Sequence, residues 1–84
     1  GKLAKPQTRA ITVTREGNVF PGAYPVDMEQ LEARLAQYKA ANPALPVVLK
    51  GDAEAQYDKV MQALEICKRL DILEIGLVTK RMGV

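Results

Sequence analysis

Leu45-Pro46-Val47-Val48-Leu49-Lys50 is a brief, continuous apolar run, followed at once by Gly51-Asp52 and then by a segment of helical periodicity that reaches Leu70. An unbroken apolar run of this length suits a central strand covered on at least one face. Gly51-Asp52 reads as the turn from that strand into the helix, with Asp52 as turn former or cap. The helix starts at Ala53 or Gln56. Tyr57, Val60, Met61, Leu64 and Cys67 form its apolar stripe, and Ala63, Ile66 and Leu70 widen that stripe well beyond the usual arc of ~100°. A helix so marked must touch two things, the sheet and another helix. Asp58, Gln62, Glu65 and Arg69 form its solvated face, with Glu65 and Arg69 at favourable i,i+4 spacing.

Working outward, Leu73-Glu74-Ile75-Gly76-Leu77-Val78-Thr79 reads as the last strand, and Asp71 as the residue that stops the helix before it. Upstream, Val26 and Asp27 open a first helix. Asp27 is the N-cap, Gln30 stands where a capping box wants an amide, and Val26 and Leu31 occupy the two positions of a hydrophobic staple. Met28, Leu31, Leu35 and Tyr38 fall on one stripe, and Asn42-Pro43 ends the helix. Further upstream, Arg9 to Glu16 alternates, with Ile11 and Val13 on one face and Thr12 and Thr14 on the other. Gly17-Asn18 turns the chain into a short return strand, Val19-Phe20, stopped by Pro21-Gly22. The order β-β-α-β-α-β predicts a two-layer α+β fold, a mixed four-stranded sheet with both helices on one face. Residues 1–8 read as a flexible lead-in, 9–80 as the domain and 81–84 as a tail.

At 84 residues the chain makes one small domain, with a core so marginal that self-association would help it. It is 48% apolar and 26% charged, which is globular and not disordered composition. The net charge of +2 comes from scattered Lys and Arg that no basic stripe gathers, so nucleic acid is not an expected partner. No stretch approaches the ~20 apolar residues that span a bilayer, and no signal-peptide core is visible. The N-terminus reads as a linker or a cut in a longer chain.

Histidine is absent from the sequence, which removes the commonest general base and metal ligand. Cys67, the single cysteine, sits on an apolar helix stripe and reads as a small buried hydrophobe. Tyr38 and Tyr57 fall at helical spacing and read as core. No metal-ligand cluster or cofactor motif is present. Asp52, at the end of a strand, is the one acid that could serve a small enzyme, but no second polar group supports that role. The expectation is therefore no enzyme, no catalytic residue, no metal and no cofactor.

Val48-Leu49-Lys50-Gly51-Asp52, followed by Tyr57-Asp58-Lys59-Val60-Met61-Gln62-Ala63-Leu64, resembles the periplasmic domain of ExbD and TolR proteins: a hydrophobic strand, an Asp, a spacer, an aromatic, then a hydrophobic helix. Ile75-Gly76-Leu77-Val78-Thr79 is similar to the family's closing strand. Asn18-Val19-Phe20 and Pro25-Val26 also fit. The likeness runs from Ile11 to Thr79, and the helix-strand spacing is closer to ExbD than to TolR. One departure is Asp71, where the family has Gly. The resemblance implies the periplasmic domain of a single-pass inner-membrane protein whose transmembrane helix precedes residue 1. It implies a role in a proton-motive-force motor: homodimerisation and contact with a TonB-like transducer and, in the full-length protein, with an ExbB-like membrane protein. The TolR branch, with peptidoglycan binding, is the alternative.

A four-stranded sheet has two edges whose unpaired N–H and C=O groups invite another strand. Ile11-Thr12-Val13-Thr14 and Leu77-Val78-Thr79 are the candidates for partner or dimer pairing, since neither contains Pro. Arg9, Arg15, Lys80 and Arg81 are the charges available to protect those edges.

Overall fold

The structure, a computed structural model, describes residues 8–80. The expected tail and all of the expected lead-in except Thr8 lie outside the described residues. The elements are β1 (Arg9–Val13), β2 (Val19–Phe20), α1 (Met28–Ala41), β3 (Pro46–Asp52), α2 (Tyr57–Arg69) and β4 (Glu74–Lys80). The four strands form one sheet in the order β2-β1-β3-β4. The hairpin β1–β2 is antiparallel, while β1–β3 and β3–β4 are parallel. The fold is thus the mixed-sheet α+β architecture that the sequence predicts. Both crossovers step in the same direction across the sheet. Right-handed connections then place α1 and α2 on the same face, where they touch each other.

β3 is central because its residues can be buried. Val47 and Leu49 are essentially unexposed toward the helices, and their neighbours across the register, Ile11 on β1 and Ile75 on β4, share that face. Leu31 and Leu35 of α1 are fully buried over it, each contributing about 1.5–3 kcal/mol of burial. From α2 come Val60, Ala63, Ile66 and Cys67. Met28 and Tyr38 complete the α1 stripe as half-buried residues, and the Arg9 guanidinium stacks 4.0 Å from the Tyr38 ring centroid.

Three expectations are corrected. β1 stops at Val13, not Glu16, because the chain closes a turn on Thr14: the Thr14 N–H donates to the Asn18 carbonyl, and its hydroxyl oxygen accepts from the Asn18 N–H. Gly17 takes the positive φ of 88° that this turn needs. Gly51 and Asp52 belong to β3 and not to a turn, since the ladder continues through Val13–Gly51–Thr79 and Asp52–Lys80. The turn begins at Ala53, and Gln56 is the N-cap residue of α2. Tyr57 is 75% exposed, not core. The buried face of α2 centres on Val60, Ala63 and Cys67, and Tyr57 lies roughly a quarter-turn from it at 100° per residue.

Candidate interaction surface

The local devices that hold the strands in place come first. Asp27 caps α1 with a complete capping box: the Gln30 N–H donates to Asp27 Oδ1 at 2.7 Å, and the Asp27 N–H donates to Gln30 Oε1 at 3.0 Å. Gly51 lies under α2, where a Cβ would stand 3.6 Å from Val60 Cγ2. Asp52 is buried at 6% exposure. Its Oδ1 accepts from the Glu54 N–H at 2.8 Å, and its Oδ2 lies 3.6 Å from Arg15 Nη2. It forms the turn and ties it to the β1–β2 loop, but it does not cap α2. A buried carboxylate with an arginine and an amide at its oxygens is structurally satisfied.

Asp71 ends α2 in the left-handed region, at φ 57°. The Ile72 N–H donates to the Cys67 carbonyl and the Asp71 N–H to the Lys68 carbonyl, which together make a Schellman motif with a buried Ile72 beside it. Lys39 Nζ donates to the Asp71 carbonyl at 2.9 Å and to the Pro43 carbonyl at 2.8 Å, so the end of α1 grips the turn that aims β4. Arg69 pairs with Glu32 of α1 (Nη2 to Oε1 2.8 Å) rather than with Glu65 one turn away. That bond holds the Glu32 carboxyl below its ordinary range and pushes the Arg69 guanidinium up. Burial raises the Cys67 thiol, the direction expected of an inert packing residue. Among the described residues no group of three or more His, Cys, Asp or Glu gathers to hold a metal.

The two sheet edges differ. β2 is two residues long, runs into Pro21, and has its outer side bridged at Val19 by the Val26 N–H at 2.9 Å. That edge is blunted. β4 is seven residues long. β3 pairs with all of it on one side, and no described strand lies on the other. Its apolar residues are open to solvent: Leu77 is 56% exposed and Val78 43%. Leu73, just before it, is 92% exposed. A long edge with exposed apolar side chains is the feature of a sheet that accepts another strand.

Of the residues expected at edges, Leu77, Val78 and Thr79 lie on this one. Ile11, Thr12 and Val13 do not, because β1 is flanked by β2 and β3, and Thr14 is in the turn. After the β1–β2 hairpin, α1 carries the chain back so that β3 takes the side of β1 that β2 leaves free. Ile11 and Val13 are fully buried core. The sequence reading missed Glu74, Ile75 and Gly76 as parts of the edge, although the oppositely charged ends of the segment, Glu74 and Lys80, mark its length.

The family model for biopolymer transport protein ExbD/TolR matches residues 1–82. The chain belongs to the ExbD/TolR family. No curated protein matches it significantly. ExbD/TolR proteins are non-enzymatic, transport-associated inner-membrane proteins that work with partner proteins. Within the described residues of this ExbD/TolR chain, no helix is long and apolar enough to cross a membrane.

Proposed function

We propose that the chain is the periplasmic interaction domain of an inner-membrane motor driven by the proton-motive force, of the ExbB/ExbD/TonB type. Its work is recognition without catalysis: it dimerises, and it grips an extended segment of a TonB-like energy transducer to power import across the outer membrane. The observation that supports this reading is the β4 edge, a seven-residue strand with no described strand on its outer side and with Leu77 and Val78 exposed. Main-chain hydrogen bonds along such an edge supply affinity, and alternate side chains supply selectivity.

Amide-proton NMR with an extended peptide from a TonB-like transducer tests it. The expected shifts are centred on residues 74–80. Shifts centred on the helix faces around Glu32 or Asp58, with β4 silent, would contradict it. A response to peptidoglycan fragments and none to the transducer peptide would move the reading to the TolR branch.

A further inference from the structure

On the sheet face turned away from the helices, β4 presents Glu74, Gly76 and Val78 beside Pro46, Val48 and Lys50 of β3. Gly76 is the odd member of that row, because a glycine inside a strand gives up packing and weakens the strand. The usual local reasons for a glycine do not apply to it. Its φ is not in the left-handed region, which among the described glycines only Gly17 occupies. The ladder passes Val48–Gly76 without a bulge. Crowding does not exclude a side chain either, since a Cβ on Gly76 would stand 3.6 Å from Val48 Cγ2, an ordinary van der Waals contact. What remains is the approach of another group to the strand. Space for one is present: a hollow of about 490 Å³ opens over Gly76, between Thr8, Pro46, Val48, Leu73 and Glu74. At Gly76 the row of β4 side chains on this face is interrupted, between Glu74 and Val78.

We infer that the hollow over Gly76 is the selectivity pocket of the β4 edge: it takes an aromatic side chain of the extended partner segment, while a Lys or Arg two residues away on that segment stands against Glu74. This rests on the reading of β4 as the docking edge in the proposed function and names the chemistry of the segment that docks there. A strand added along β4 places every second side chain on the open face, next to the β4 residue it opposes. The residue opposite Gly76 meets no β4 side chain. An aromatic ring at that position lies across the glycine and reaches the half-buried Val48, with Pro46 beside it, and supplies the packing that an edge glycine lacks. A short side chain there leaves the hollow open. The neighbouring open-face position toward the start of β4 opposes Glu74, which is exposed and makes no ion pair among the described residues. A base opposite it gains a partner, and an acid is repelled. The position on the other side opposes Val78, 43% exposed, and suits an apolar residue. A parallel segment therefore reads basic, aromatic, apolar at alternate positions, and an antiparallel one reads the reverse.

NMR titration of the chain with extended peptides of a TonB-like transducer tests the pocket, with a Lys-Ala-Phe triplet and its reverse, Phe-Ala-Lys, moved along the peptide one residue at a time. One placement should bind about tenfold tighter than the unchanged peptide, and its ring should show nuclear Overhauser contacts to Gly76 and to the Val48 methyls. Gly76→Val fills the hollow and should remove the gain. Gly76→Ala adds one methyl that the 3.6 Å spacing accommodates and should remove part of it; both variants are first shown to be folded by circular dichroism. Glu74→Lys should weaken the lysine-bearing peptide and tighten one that carries Glu in the lysine's place. If the peptides shift residues 74–79 but no placement gains, or the gain survives Gly76→Val, the pocket is overturned and the docking edge stands. A tightest-binding ring whose contacts lie on the helices overturns the pocket without any variant. If no peptide shifts β4, the pocket and the edge are both overturned.

Discussion

Asp71 carries a local conflict. It sits at the C′ position of a Schellman motif with φ 57°, a conformation that costs a side-chain-bearing residue free energy and glycine very little. Its carboxylate also stands at the negative end of the α2 dipole. Asp71→Gly should therefore stabilise the domain by about 0.5–1 kcal/mol in urea melts, and Asp71→Asn by less. The carbonyl that receives Lys39 is main chain and survives either change. A loss of stability on Asp71→Gly would mean that the aspartate side chain makes a contribution that outweighs the backbone strain. The sequence exposes this site directly, because a helix stop needs a left-handed residue. It does not expose the partnership of Asp52, at the end of β3, with Arg15, in the β1–β2 turn, which meet only after the sheet forms.

Among the elements, α1 was readable almost to the residue. Its cap, staple and narrow stripe are local signals, and Leu31 and Leu35 are buried where the stripe puts them. α2 was readable as a helix but not in its rotation. So many of its residues are apolar that the pattern admits several faces, and packing against β3 and α1 chose the one holding Ala63, Ile66 and Cys67. Tyr57 and Met61 were left outside. A pair of truncations measures that rotation. Ile66→Ala should cost about 2–5 kcal/mol, whereas Met61→Ala, at a residue 39% exposed, should stay within about 0.5 kcal/mol. Equal costs in urea melts would place the buried face elsewhere. The strands show the same division. β3 announced its central place through its unbroken apolar run, but nothing local in β1 says that it lies inside the sheet, since an alternating strand suits an edge or an interior equally well.

At the scale of the whole molecule, the helix layer is tied together across its surface by Glu32 and Arg69. The Arg69 hydrogen bond lowers the folded-state pKa of Glu32. Its stabilising effect is therefore present above the unfolded-state pKa and is lost as pH falls through the lowered folded-state value. The stability difference between the parent and Glu32→Gln should be greatest at neutral pH, shrink through the acid range below the ordinary value of 4.5, and vanish in strong acid. Urea melts at a series of pH values read it, and a difference independent of pH would show that the pair is not coupled to folding. The bond also joins α1 to α2. β4 is reached through the Lys39-held turn at Asp71 and keeps its outer edge uncovered. That arrangement leaves β4 as the proposed surface through which the domain engages another chain. Residue-resolved amide hydrogen exchange, recorded for the free chain and again under associating conditions, tests it most directly. Alternate amides of residues 74–80, those pointing outward, should gain protection while the amides of Val19 and Phe20 do not change; new protection confined to α1 and α2, with β4 exchanging as before, would rule β4 out as the contact surface.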